Sequence, residues 1–309
     1  MTQLNVITEG LRFPEGPIAM ADGSVLLVEI RRATLTRVDT DGSQEIVADF
    51  GDPASAGPNG AAIGPDGAVY VCNNGGMVWT RRGEWDIPME LRTGVTQTAD
   101  YRTGSIDRVD LATGEITTLY TECDGQRLRS PNDLVFDSTG GFWFTDHGKT
   151  RAGEIDRCGV YYARPDGSSI RRSIFPLHQP NGIGLSPAGD TLYVAETPTG
   201  RLWAFEVVGP GELGEANPSR ARNLANTLGL FDSLAVEADG TVVVAAIGDG
   251  LCLARPDGEV SFVAMPDPIT TNVCFGGPDR TTAYVTLSAG GRLVSMEWPR
   301  PGLALAFES

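Results

Sequence analysis

Residues Gln179–Glu196 read QPNGIGLSPAGDTLYVAE. The oxygen-bearing Asn181 follows a proline, an apolar run reaches a Pro-Ala-Gly-Asp turn, and Leu, Tyr and Val lie on the way back. Two β-rich runs joined by such turn residues make a β-hairpin. The phrase recurs as FPEGPIAMADGSVLLVE from Phe13, GPNGAAIGPDGAVYVCN from Gly57, SPNDLVFDSTGGFWFTD from Ser130, FDSLAVEADGTVVVAA from Phe231 and TTNVCFGGPDRTTAYVT from Thr270. The slot ahead of its first strand holds Glu15, Asn59, Asn132, Asn181, Asp232 and Asn272, each an oxygen donor.

Successive slots lie 44, 73, 49, 51 and 40 residues apart. A second β-rich pair follows each hairpin, as in ATLTRVDTDGSQEIVADF from Ala33 and GSIDRVDLATGEITTLYTE from Gly104. Four strands per repeat at this period are propeller blades. The expected fold is therefore all-β: a six-bladed β-propeller with four-stranded antiparallel blades around a central metal-binding channel, one domain over residues 1–309. The last blade needs a fourth strand, which either LALAF near the C-terminus or LNVIT near the N-terminus can supply.

The long second spacing places an insertion at about residues 75–103, between the inner and outer strand pairs of the second blade. In an antiparallel blade the second strand ends on the face where the first begins, so this segment is expected to overhang the slots. Trp79, Trp85 and Tyr101 within it suit a lid over an organic ligand, while a longer outer hairpin is the plainer reading.

The chain carries 24 basic and 40 acidic residues, a formal charge of -16. Such a surface repels a phosphate backbone, which excludes nucleic acid as a partner. The opening MTQLNVITEG lacks the basic and apolar regions of a signal peptide, and no apolar run is long enough to cross a bilayer. The expectation is a cytoplasmic protein with no membrane partner. Five cysteines in no Cys-x-x-Cys arrangement and only two histidines, His147 and His178, leave oxygen as the ligand type for any metal.

Radial packing of blades brings the first residues of all six innermost strands to one axis. Glu15 and Asp232 would repel each other there, and a divalent cation resolves the conflict. Carboxylate and amide oxygens suit Ca²⁺, Mg²⁺ or Mn²⁺, with Zn²⁺ and Fe²⁺ also compatible. The alternative is that these Asn and Asp residues merely cap turns. No Gly-x-Ser-x-Gly elbow or phosphate-binding loop offers a competing apparatus.

The Glu-Gly-Pro phrase at Glu15, PNDLVFDSTGGFWFTD around Asn132, Pro-Asn-Gly at Asn181 and Asp-Ser at Asp232 resemble the SMP-30/gluconolactonase/luciferin-regenerating enzyme-like (LRE-like) family across nearly the whole chain. Its members are six-bladed propellers that include bacterial lactonases and diisopropylfluorophosphatase-like hydrolases. The resemblance implies one catalytic divalent metal, Ca²⁺ foremost, held by Glu15, Asn181 and Asp232, with Asn132 a fourth donor or substrate contact. Asn59 and Asn272 are then cavity lining on the substrate side. It also implies hydrolysis of a small-molecule lactone or ester, the metal polarising the carbonyl and Asp232 acting as general base on water or as nucleophile. A phosphotriesterase-like hydrolase and a non-catalytic calcium- or ligand-binding propeller are the alternatives.

Strand-end geometry puts Glu29, Asn73, Asp146, His147 and Glu196 on the slot face. Asp146 with His147 is the pair expected to contact substrate and move a proton. The sequence departs from the sugar-lactonase pattern at Ser130, where those relatives carry an Arg two places before the Asn matched by Asn132. That departure points away from an aldonolactone.

Overall fold

The computed structural model of the protein describes residues 3–308. Its strands form six antiparallel blades whose innermost members are Pro14–Ala19, Pro58–Ile63, Pro131–Phe136, Pro180–Leu185, Leu230–Val236 and Thr270–Gly276. Blades are numbered 1 to 6 in that order. The fourth strand of blade 6 is Asn5–Glu9, which pairs with Arg292–Glu297 and so joins the two ends of the chain. LALAF does not serve as that strand. Ring closure by the N-terminal strand gives the outer edge of Arg292–Glu297 a hydrogen-bonding partner.

The period-2 alternation of the strands explains how the blades pack. Val69 and Val71 point toward blade 1 and join Ile18, Leu26 and Val28, whereas Tyr70 and Cys72 point toward blade 3 and join Leu134, Phe136 and Phe144. The same division recurs around the ring, with Val242 and Val244 on one side of blade 5 and Val243 and Ala245 on the other. Each apolar cluster thus fills one gap between neighbouring blades. The inner strands of each blade are largely buried on both faces, which leaves their ends to carry polar chemistry.

Residues 75–103 leave blade 2 between its second strand, Val69–Asn73, and its third, Ser105–Val109. The segment contains a small hairpin, Thr80–Arg82 with Trp85–Ile87. Trp79 packs edge-on against Phe13 with ring centroids 5.1 Å apart, and the Arg31 guanidinium lies 5.1 Å from the Trp79 ring centre. Buried Asp86 is met by Arg31 at 3.3 Å, Arg81 at 3.0 Å and Arg12 at 4.0 Å. On the other side Lys149, fully buried, donates to the Gly76 carbonyl at 2.7 Å and sits 5.3 Å from the Tyr101 ring centre. The insertion is therefore tied to the slot-face loops of both blade 1 and blade 3. Two of its three aromatic residues serve as anchors in those ties, and Trp85 is exposed.

Candidate active site

All six inner strands carry a β-bulge at the slot, where one extra residue opposes the second strand. A bulge bends its strand and re-aims side chains. Consecutive residues can then face the axis, so the residue after each slot matters as well. In three blades it is glycine, and the reason is steric. A Cβ on Gly16 would lie 2.7 Å from the Asn59 carbonyl, one on Gly182 2.7 Å from the Asp232 carbonyl, and one on Gly60 2.6 Å from both the Asn132 carbonyl and the Asp133 carboxylate. Blades 3 and 5 place Asp133 and Ser233 at this position.

The result is a buried polar ring. Glu15, Asn59, Asn132, Asp133, Asn181 and Asn272 are each less than 8% exposed. Asn272 donates its amide to Glu15 at 2.7 Å, and the Glu15 carboxylate also accepts from the Gly16 N–H at 2.5 Å. The Ser233 hydroxyl lies 3.4 Å from Glu15 and 3.5 Å from the Asn181 side-chain oxygen, which links blades 1, 4 and 5. Thr145 donates to the Asn181 carbonyl at 2.6 Å and accepts from the Asp133 N–H at 3.2 Å. Of the slot residues, the Asn132 side-chain oxygen is buried with no hydrogen-bond partner.

The carboxyl groups of Glu15 and Asp133, both buried, and of Asp232, partly exposed, resist ionisation here. Burial, then the neighbouring Asp232 and Asp133, push the Glu15 carboxyl well above the usual carboxylate range, against the hydrogen bonds from Asn272 and Gly16. Burial likewise raises Asp232, opposed by the Asn181 amide, and lifts Asp133 to about 7. Unpaired buried charge of one sign is unfavourable, and the orphaned Asn132 oxygen adds a second unmet demand. Both are met by a hard divalent cation bound through carboxylate and amide oxygens, so the donor set fits such an ion. Among the described residues no three His, Cys, Asp or Glu side chains form a metal-holding group by themselves. Asparagine oxygens are needed to complete one.

The second-strand ends have a common task. Glu29 accepts from the Arg12 N–H at 2.6 Å, Asn73 from Gly57 at 2.8 Å, and Glu196 from His178 at 2.7 Å. Asp146 accepts from Arg129 at 2.7 Å and Ser130 at 2.6 Å, and from Gly148 at 3.1 Å. Apart from Gly148, the donors precede a slot residue by two or three positions, so these side chains hold the loops that lead into Glu15, Asn59, Asn132 and Asn181. Both oxygens of Asp146 are engaged by backbone N–H groups. The His147 ring sits 3.4 Å from the Gly148 carbonyl, and burial pulls it down to about 4, leaving it neutral near pH 7. Asp146 thus holds the chain at residues 129–130 ahead of Asn132, and His178 is exposed at the rim.

The profile of the SMP-30/Gluconolactonase/LRE-like region matches residues 13–289. The chain belongs to this family. Members similar to it include a gluconolactonase from Zymomonas mobilis, 27% identical over 91% of this chain and 78% of that protein. A lactonase drp35 from Staphylococcus haemolyticus is 26% identical over 81% of this chain and 68% of that protein. A solved structure of a gluconolactonase from Xanthomonas campestris superposes with a TM-score of 0.74 at 25% identity, covering 96% of this chain and 90% of that one. The family match begins at Phe13 and so excludes the N-terminal strand that closes the propeller. Among the described residues no helix is long and apolar enough to cross a membrane.

Proposed function

We propose that this protein is a divalent-metal-dependent hydrolase that opens the ring of a small-molecule lactone, with Glu15, Asn132, Asn181 and Asp232 holding the ion. The observation that carries the reading is the buried ring itself: an unpartnered Asn132 oxygen beside the Glu15, Asp133 and Asp232 carboxyls, whose ionisation burial opposes. The lactonases and gluconolactonases among its relatives supply the substrate class. A divalent ion bound there, Ca²⁺ foremost, contributes Lewis acidity toward a carbonyl oxygen and toward water.

The chain's own residues do the rest. Asp232 takes the proton of the attacking water, a general-base role that contributes about 10²–10⁴-fold in rate. Ser233 and Asn272 fix the Glu15 carboxylate, and Thr145 fixes the Asn181 backbone, so the donors are oriented before substrate arrives. Asn59, Asn132 and Asn272 line the substrate side of the ring in this reading, with Asp146 and His147 at the end of the Asn132 hairpin. We read residues 1–309 as one propeller domain in which segment 75–103, tied to blades 1 and 3, borders the approach to the ring. Ser130 in place of a sugar-binding Arg favours a lactone or ester less polar than an aldonolactone.

The test is a pair of variants. Asp232→Asn is expected to lower lactone turnover by at least 10²-fold with the fold kept, and Glu15→Gln to weaken cation affinity before it lowers turnover at saturating metal. An Asp232→Asn protein with full activity would overturn the assignment.

A further inference from the structure

Beneath the slot ring, on the opposite side from the insertion, the propeller axis holds a cavity of about 370 Å³. Each blade contributes to its wall: Ile18, Ala62, Leu134, Ile183, Leu234 and Val273. Its upper end reaches Gly16, Asp133 and Asn272, the underside of the carboxyl ring, and its lower mouth is crossed by Leu303–Glu308. This C-terminal strap is pinned at its start, where the N–H of Leu303 donates to Val236 at 2.9 Å, and at its end, where Arg280 donates to Glu308 at 2.9 Å. Between the pins, Phe307 packs edge-on against Phe136 with centroids 5.7 Å apart, and Leu305 is 49% exposed. The backbone hydrogen bonds found for residues 304–308 run within the strap. It can lift without breaking a sheet.

The chamber is the size of a small-molecule site. Water fills such a volume at about 30 Å³ per molecule, and most of this wall offers it no hydrogen bond. Acidic groups stand at both ends, Asp133 above and Asp137 and Glu308 at the mouth. Glu308 is paired with Arg280 and Asp133 belongs to the slot ring, so Asp137 is the carboxylate at the mouth that repels an anion and accepts a hydrogen bond.

We propose that this chamber is a second binding site, separate from the slot ring, for a neutral, mainly apolar molecule carrying one hydroxyl donor, a phenol or an alcohol, admitted by displacement of the strap. The body of the ligand lies against the six inner strands, and its hydroxyl is accepted by Asp137 at the mouth. Access is from the mouth face, so the site takes its ligand independently of lactone at the slot face.

Cys274 reports occupancy directly. It lines the chamber and is partly exposed, whereas Cys72, Cys123, Cys158 and Cys252 are buried. The experiment follows methyl methanethiosulfonate labelling of the full-length protein by intact mass at pH 8.5, with peptide mapping to Cys274. Saturating 1-naphthol is expected to slow labelling at least fivefold, while 1-naphthoate, of similar shape but anionic, leaves it unchanged. Phe307→Ala should speed labelling without ligand, and Ala62→Phe should remove the protection by naphthol. Equal protection by naphthol and naphthoate, or no protection by naphthol, would overturn the proposal. Burial pushes the Cys274 thiol up to about 12, so where the thiol does not label, equilibrium dialysis of naphthol against the native chain takes its place, and absence of binding there would overturn it. If Ala62→Phe does not fold, the naphthol and naphthoate comparison on the native chain decides alone. No readout involves lactone turnover.

Discussion

Changing Asp133 to Asn isolates one carboxyl of the slot ring. Its folded-state value of about 7 stands against 3.8 for an ordinary aspartate. Between those values the folded protein holds a proton that the unfolded chain releases, so the stability of metal-free protein falls as pH rises from about 4 through about 7 and then levels. At about 1.4 kcal/mol per pH unit, less the half-titration reached at pH 7, this group alone removes about 2 kcal/mol between pH 5 and pH 7. Asn keeps an oxygen to accept from the Leu134 N–H, which Asp133 meets at 2.9 Å, and carries no charge to bury. Loss of Asp133 also relieves Glu15 and Asp232, which it pushes up. The assay is thermal unfolding in chelator from pH 5 to pH 8. Asp133→Asn should lose less stability across that range and end roughly 5 °C or more above the parent at pH 8, using about 2 °C per kcal/mol for a chain of this size. A variant that declines as steeply as the parent, or is the less stable of the two at pH 8, would refute the electrostatic reading of the ring.

Glu237 is fully buried, accepting from the Trp298 indole N–H at 2.7 Å and pairing with Arg300. Glu237→Ala strands both donors and should destabilise by about 3–5 kcal/mol in chemical denaturation; a change under 1 kcal/mol would show that the buried pair with Arg300 adds little to the fold. Lys149→Met keeps the volume but leaves the Gly76 carbonyl unmet, at about 1–3 kcal/mol. Limited proteolysis should then cut first within residues 75–103, and an unchanged cleavage pattern would show that Lys149 does not hold the insertion. Truncation of the chain before Gly10 removes the outer strand of blade 6 and should turn cooperative unfolding into a broadened transition on calorimetry, whereas an unaltered transition would show that ring closure adds nothing.

The repeated hairpin made the blades legible because each inner strand starts with one oxygen-bearing residue and ends in a Gly turn. The polar ring was legible in part for the same reason: the slot residues Glu15, Asn59, Asn132, Asn181 and Asn272 are buried near the axis, with Asp232 partly exposed beside Asn181. Asp133 and Ser233 escaped because strand alternation sends neighbouring residues to opposite faces, and only the bulge suspends that rule. A signal was present, since Gly16, Gly60 and Gly182 follow three slots where Asp133 and Ser233 follow two others. Strand-end geometry puts Glu29, Asn73, Asp146 and Glu196 on the slot face, and the pair Asp146 and His147 is expected to meet substrate; that these side chains accept from backbone N–H groups of the preceding loops is announced by no residue identity. The closing strand was ambiguous because LNVIT and LALAF are equally short and apolar. Hydrogen bonding to Arg292–Glu297 falls to the first.

The most direct test of the central claim is pH-stat hydrolysis of sugar, aliphatic and aromatic lactones by chelated protein, before and after addition of Ca²⁺, Mg²⁺, Mn²⁺, Zn²⁺ or Fe²⁺. The expected result is no turnover in chelator and restored turnover with at least one ion, with aliphatic or aromatic lactones preferred over sugar lactones. Undiminished turnover in chelator, or none with any ion on protein shown to bind it, would contradict the assignment of the slot ring as a metal-dependent lactonase site.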